Sequence, residues 1–392
     1  MNIGIICEFD PLHNGHAHLL RQAKSIGGGA VVCVMSGQFT QRGSFAAVDK
    51  RARTEMALRC GADVVLELPV VWAMAGAERF ARGGIAVLQA TQVVDAVLFG
   101  SECGDLTALQ AVADGLDSPA FGDGLKQHQK GGVSFAAARQ RALNDLPHVD
   151  GSLLERPNNT LGIEYLRAIR HFHAPLTALT IPRIGAGHDG QPEGDTASAS
   201  HLRQLLRQGQ AEEACMFMPS AATDILRREA AAGRITDGAL CNRAILAHVR
   251  KMTEADWQRY DGGHEGLYHR LYQAAKAATS VEELLALAKT KRYPLARLRR
   301  MVLAAWLELP IDVPGTPPYL RLLGANDTGR KLLRQMQDRG APVLTKPADV
   351  SVLGGEAAAL LAVESRCTDL YGLARPHLTP AGEDMRFTPV MV

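Results

Sequence analysis

Aromatic residues are scarce in this chain, making up 5% of 392 positions with only three tryptophans. A core must therefore come from aliphatic side chains. With 46% hydrophobic and 21% charged residues, the composition suits a packed protein and argues against disorder. An excess of one charge is lacking as well. The net charge is +2, so any nucleic-acid surface has to be a local patch. Cys7, Cys33, Cys60, Cys103, Cys215, Cys241 and Cys367 include no C-x-x-C pair. An odd, scattered set of this kind reads as free thiols in a reducing compartment. The N-terminus MNIGIICEFD lacks a basic segment followed by a long apolar run, which argues against a signal peptide. No apolar stretch reaches the roughly 20 residues of a membrane span. The expectation is a cytoplasmic protein with no membrane partner.

Several familiar signatures are missing too. The chain has no G-x-x-x-x-G-K-[ST], so a P-loop is excluded. It has no G-x-S-x-G, so a hydrolase elbow is unsupported. The triple glycine Gly27–Gly29 precedes a strand pattern, whereas a dinucleotide fingerprint follows one.

What is present is an alternation of short apolar runs with amphipathic ones. Strands are predicted at Ile3–Cys7, Ala30–Met35, Ala62–Leu68, Val93–Phe99 and Leu176–Ile181. Helical patterns lie between them at His13–Ser25, Asp49–Cys60, Gly76–Ala90, Asp105–Leu116, Ser134–Leu143 and Asn159–Phe172. Nearly all-apolar strands separated by helices imply an α/β fold with a parallel, Rossmann-like sheet covered on both faces. Ligands of such sheets bind beyond the carboxyl ends of the strands. After about Leu206 helices dominate: Met218–Gly233, Gly238–Met252, Gly266–Ala277, Val281–Ala288 and Pro294–Leu307. A small βα element follows near 319–346, then a last helix near Gly355–Ser365. The proline-rich tail Pro376–Val392 is expected to be loosely held. The length suggests two domains, divided here as a catalytic unit over 1–205 and a mostly helical unit over 206–392.

The first strand runs into C-E-F-D-P-L-H-N-G-H. Gly15 permits a tight backbone approach where the next helix begins. His13 and His16, three apart, share a face of its first turn. Two imidazoles beside unpaired N–H groups and a positive helix end form a cradle for polyphosphate. Imidazole donors there can stabilise charge on a transferred phosphoryl group without a covalent intermediate. An ordinary surface loop could hold the same residues, but the position directly after the first strand favours the cradle. A zinc reading of Cys7, His13, His16 and His18 lacks the second ligand cluster that a structural site needs.

A second feature is A-S-A-S-H-L-R, Ala197 to Arg203. Ser198 suits a helix N-cap, Ser200 lies in the first turn, and Arg203 can reach the same anion. Other rule-breaking residues cluster at strand ends: Met35–Gln38 with Gln41–Gly43, Gly100–Glu102, Pro157–Asn159 and Arg183. Each is compatible with turn chemistry alone, and their shared location favours one cleft. In the helical half, K-T-K-R-Y-P-L-A-R-L-R-R carries Lys289, Lys291, Arg292, Arg297, Arg299 and Arg300 with no acidic residue. With Tyr293 alongside, it suits RNA phosphates and a stacked base; a solvated helix face is the plain alternative.

Taken in order, G-I-I-C-E-F-D-P-L-H-N-G-H, M-S-G-Q-F-T-Q-R-G, D-K-R-A-R-T-E-M-A-L, G-A-D-V-V-L-E-L-P, F-G-S-E, P-N-N-T-L-G-I-E-Y-L and the later L-L-G-A-N-D-T-G-R-K-L-L resemble the tRNA(Met) cytidine acetate ligase family across nearly the whole chain. The resemblance implies an H-x-G-H nucleotidyltransferase fold and an ATP-dependent enzyme. Such an enzyme makes N4-acetylcytidine at the wobble position of elongator tRNA(Met) from acetate and ATP, through an acetyl-adenylate, with Mg²⁺ expected. It implies ATP contacts from Ile6, Cys7, Glu8, Phe9, Asp10, Pro11, Leu12, His13, Asn14, Gly15, His16, Ala17, His18 and Leu19. Gly100, Asn158 or Asn159, and Arg183 would complete the nucleotide pocket. His13, His16, Ser198 and Arg203 would be the catalytic set, and Lys289, Lys291, Arg292, Arg297 and Arg300 the tRNA contacts. Three residues depart from the family pattern: Asp10 and Leu12 stand where Asn and Phe are usual, and Ser200 replaces Thr. Two other readings stay open at this level. One is a nucleotidyltransferase or adenylate-forming ligase acting on a small metabolite; the other is a non-catalytic protein binding nucleotide and RNA.

Overall fold

The computed structural model describes residues 1–129, 135–184, 192–261 and 266–392. The five strands predicted in the first half are β1 (Ile3–Cys7), β2 (Val31–Ser36), β3 (Val64–Leu68), β4 (Ala96–Ser101) and β5 (Thr177–Pro182). They form parallel pairs in the order β5-β4-β1-β2-β3. Strand order reverses between β1 and β4, so a crevice opens there beyond the carboxyl ends. Residues that alternate along β1 and β2 fill different cores. Ile3, Ile5, Cys33 and Met35 pack under Leu20, Met56, Leu202 and Ile225. On the opposite face, Val32, Val34 and Leu66 lie in one core with Phe80, Ile85, Ile163 and Leu166. Both faces are dry, which is why these strands lack a polar side.

The later segments do not form a self-contained unit. β6 (Leu320–Ala325) joins the main sheet antiparallel to β3, pairing Val64 with Ala325 and Leu66 with Leu322. β7 (Val343–Leu344) extends it beside β6. The helices Asn242–Val249, Glu254–Asp261, Leu267–Ala277, Val281–Ala288 and Leu295–Trp306 enclose Trp257, which is fully buried. Their core is continuous with one face of the sheet. Four helices escaped the sequence patterns, two of them the short Val70–Ala73 and Ala211–Cys215. Pro119–Gln129 carries two glycines, and Glu254–Asp261 is apolar only at Trp257 and Tyr260 apart from one alanine. The predicted loop over 185–195 lies outside the described residues as far as 191. No helix among the described residues is long and apolar enough to cross a membrane.

The end of the tail is anchored, contrary to the expectation, while residues 376–381 are exposed. Val390 and Met391 form β8, parallel to β6. Asp384 lies 1% exposed, 2.6 Å from both Lys50 Nζ and Arg321 Nη1. Glu67 completes this buried set, 2.7 Å from Lys50 Nζ and 3.2 Å from Arg321 Nη1. Two cations thus face two carboxylates. Glu364 stays close by as an acceptor for the Val70 amide, its pKa pushed up by burial and by Glu67. Proline content marks where a chain cannot be regular, but it says nothing about a distant cation that needs a partner.

Removing one partner of a buried ion cluster leaves an uncompensated charge, so Asp384→Asn should cost about 3–5 kcal/mol in urea unfolding. Burial alone would raise the Asp384 pKa, and Lys50 and Arg321 more than offset this, leaving it low. A depressed carboxylate stabilises the fold above its unfolded pKa of about 3.9 and loses that contribution as pH falls through the lower folded value. The gap between wild type and variant should therefore close in acid. A variant as stable as wild type at neutral pH would show the tail contact to be dispensable.

Candidate active site

The Asp10–His13 turn leads β1 into the helix Asn14–Gly27, with His13 at the N-cap. Its Nδ1 accepts a hydrogen bond from the Gly15 amide at 3.1 Å. A side chain at position 15 would place Cβ 3.0 Å from the His13 ring, so glycine is what lets the imidazole fold over the helix start. With Nδ1 occupied as acceptor, neutral His13 carries its proton on Nε2 and can donate it to a ligand. The His16 ring stacks on it, centroids 3.7 Å apart at 24°. Burial pulls the His13 pKa down to about 3, with Arg183 and Arg203 adding to the shift. His16 is driven well below its usual value by burial, then by His13 and the same two arginines.

Arg203 projects from the helix Ala199–Arg207, for which Ser198 is the N-cap, its Oγ accepting from the His201 amide at 3.2 Å. The guanidinium is anchored by the Asp10 carbonyl at 2.8 Å and by Ser200 Oγ at 3.0 Å. The Asp10 carboxylate lies behind it. Oδ1 accepts from the Ala47 amide at 2.6 Å, and Oδ2 is 3.6 Å from Arg203 Nη1. The aspartate thus faces a cation, which offsets its repulsion toward an anionic ligand.

These groups line a cavity of about 570 Å³ at the reversal of strand order. Among the sequence-derived ATP-site residues, Ile6, Cys7, Glu8, Phe9, Asp10, His13, Gly15, His16, His18, Leu19, Gly100, Asn158 and Arg183 line it, joined by Ser198, Ser200 and Arg203. Pro11, Leu12, Asn14, Ala17 and Asn159 do not. Leu12 and Ala17 are core residues, and Asn14 instead donates to the Phe217 and Asp195 carbonyls. The adjacent asparagines split their work. Asn158 faces the cavity and accepts from Arg183 Nη1 at 2.9 Å, whereas buried Asn159 receives the Glu102 and Cys103 amides. Phe80, Phe99, Leu161 and Tyr165 form an apolar part of the wall that sequence patterns assign only to the core.

The basic segment divides as well. Lys289, Lys291 and Arg292 are exposed. Arg297 pairs with Asp261 at 3.1 Å, and Arg300 donates to the Gln41 carbonyl at 3.0 Å. Tyr293, expected beside a stacked base, is buried under Arg292 and Arg297. Pro294 and Ala296 reach the cavity wall together with Gln41 and Arg42. Gly43, at φ +72°, lies so near that a Cβ would stand 2.5 Å from the Arg300 amide. The foot of the basic helix therefore closes one side of the cleft.

A histidine pKa lowered by folding means that the unfolded chain binds the extra proton first. Stability should consequently fall as pH drops below about 6.5. In the ligand-free protein the ring protons of His13 and His16 should keep their neutral-imidazole shifts from pH 8 to pH 5 by NMR. A midpoint near 6.5 for both would contradict the buried, cation-flanked placement.

A HIGH Nucleotidyl Transferase family model matches residues 1–384. The tRNA(Met) cytidine acetate ligase of Fervidobacterium nodosum is 38% identical over 344 residues, covering 86% of this chain and 81% of that protein. The enzyme of the same name from Clostridium perfringens is 31% identical over the full length of both. Among solved structures, Thermotoga maritima TmcAL bound with alpha-thio ATP has a TM-score of 0.92 at 30% identity, covering 100% of this chain and 99% of that one. Its apo form gives 0.94 at 31% identity. With a cradle of this geometry and similarity over nearly the whole length, the chain belongs to the tRNA(Met) cytidine acetate ligase family of HIGH nucleotidyltransferases.

Proposed function

We propose that this protein is an ATP-dependent ligase that acetylates the wobble cytidine of elongator tRNA(Met), using acetate and an acetyl-adenylate intermediate. The single observation that carries the reading is the pair of stacked, neutral imidazoles between Arg183 and Arg203 in one cleft at the start of the first helix. A cleft with two guanidinium groups and uncharged imidazole donors suits a polyanion. A cavity of about 570 Å³ falls in the range usual for small-molecule sites, with room for a nucleotide.

In the first step an acetate oxygen attacks the α-phosphorus and the bond to pyrophosphate breaks. Acetate alone would have to expel oxide when attacked by an amine, and adenylation gives it AMP as a leaving group. His13 and His16 would donate to the oxygens on which charge accumulates, a role in which one donor is typically worth about 10²–10³-fold. Arg203 and the Ser198 helix start would hold the departing pyrophosphate. Among the described residues no group of three metal-ligating side chains is present. Mg²⁺ would neutralise charge on the nucleotide phosphates. In the second step the cytosine amine attacks the acetyl carbonyl and AMP leaves. Lys289, Lys291 and Arg292, exposed on one side of the cleft-closing helix, are suited to tRNA phosphates.

Two assays test the reading. Acetate-dependent exchange of pyrophosphate into ATP should fall by at least about 10²-fold in His13→Ala and His16→Ala. Full exchange in the double variant would put the centre elsewhere. Labelled acetate should enter tRNA(Met); label found only in a small metabolite would overturn the tRNA assignment. The Lys289→Ala/Lys291→Ala/Arg292→Ala variant should keep exchange but reduce the salt dependence of tRNA binding by about three counterions. An unchanged salt slope would remove these residues from the RNA surface. Arg300→Ala should impair both steps, because Arg300 holds the Gln41 segment of the cavity wall.

A further inference from the structure

We propose that Glu8 is the base of the acetyl-transfer step, taking the proton from the exocyclic amine of the acceptor cytosine. The inference rests on the two-step reading above and adds the group that this reading leaves unnamed.

Glu8 is the first residue after β1 and lines the cavity. One carboxylate oxygen is pinned by the Gln41 amide at 2.7 Å. Gln41 in turn belongs to the wall that the foot of the basic helix completes. The carboxylate therefore lies toward the side closed by Gln41, Arg42 and Pro294. His13, Arg183 and Arg203 line the same cavity, so an acyl group on a bound α-phosphate would share it with the Glu8 carboxylate.

Several other titratable groups of the cleft are committed elsewhere or unsuited. His13 already holds its Nε2 proton as a donor, since the Gly15 amide occupies Nδ1. His16 stacks on it with its proton affinity lowered. Asp10 Oδ1 accepts from the Ala47 amide, and its Oδ2 faces the Arg203 guanidinium at 3.6 Å. The Cys7 thiol donates to the Val34 carbonyl, and burial raises its pKa further. Burial likewise pushes Tyr165, on the helix Pro157–His171, far above neutrality. Glu8 is the carboxylate held on the side of the cavity that Gln41 closes. Burial raises its pKa, the Gln41 amide lowers it, and Asp10 raises it again; Arg203 and Arg53, from the helices Ala199–Arg207 and Lys50–Arg59, oppose the rise. A carboxylate lifted toward the working pH is a stronger base.

The chemistry balances. The amine nitrogen forms a bond to the acetyl carbon, the bond from that carbon to the phosphate oxygen breaks, and AMP leaves with its electron pair. The nitrogen's proton passes to the Glu8 carboxylate and then to water. The amine is unreactive as a free base because its lone pair is delocalised into the ring. It turns acidic as the C–N bond forms, which is when a carboxylate in reach becomes effective.

Glu8→Gln tests this on the full-length enzyme, since the amide oxygen still accepts from Gln41. Because Glu8 also lines the nucleotide cavity, acetate-dependent pyrophosphate exchange by the same variant is the reference against which transfer is read. Single-turnover transfer to tRNA(Met) should fall by about 10²–10⁴-fold more than exchange does, and the acidic limb of its pH profile should vanish. Glu8→Asp should restore part of the transfer rate and the limb. Transfer at the wild-type rate, an unchanged acidic limb, or equal loss in both half-reactions would overturn the assignment. Wild-type enzyme without acetate-dependent exchange would remove the two-step reading, and this inference with it.

Discussion

The hydrogen bond from the Gly15 amide to His13 Nδ1 is the contact on which the cleft depends. It sets the tautomer, leaving the proton on Nε2 of a ring that lines the cavity and stacks on His16. Everything else near it keeps the imidazoles uncharged: burial first, then two guanidinium groups. The cleft thus offers uncharged imidazole donors beside its guanidinium groups. A polyphosphate would meet donors already oriented, and no side chain has to lose a proton first. Preorganisation of this kind places the electrostatic work in folding instead of in the reaction.

The helical half contributes to that cleft as a wall. Arg300 holds the Gln41 carbonyl, Gly43 lets the two backbones approach, and Pro294 and Ala296 close the side. A ligand that engages the exposed Lys289–Arg292 segment would thereby lie next to the helix that closes the cleft. A different constraint holds the far edge of the sheet. Lys50 and Arg321 are almost fully buried and face Glu67 and Asp384, so Asp384 near the end of the chain is part of the core.

Strands β1 to β5, the helix that starts at His13–His16, and the N-cap at Ser198 were legible in the amino-acid order, because each depends on residues within a few positions of one another. Apolar periodicity and turn chemistry act locally. The side of the sheet on which a ligand would bind followed from the same alternation of strand and helix.

Packing decided the rest. Which asparagine faces the cleft depends on the rotation of the helix Pro157–His171, which puts Asn158 beside Arg183 and Asn159 under the Glu102 loop. Phe80, Phe99 and Tyr165 look like any core residues until strand order leaves a gap beside them. The basic segment reads as one surface, yet Arg297 and Arg300 meet Asp261 and Gln41 from distant parts of the chain. β6 and the tail join the sheet for the same reason: a buried edge and two buried cations have to find partners, however far along the chain those lie. Composition and spacing carry no information about such pairings, since they arise only when separate elements are brought together.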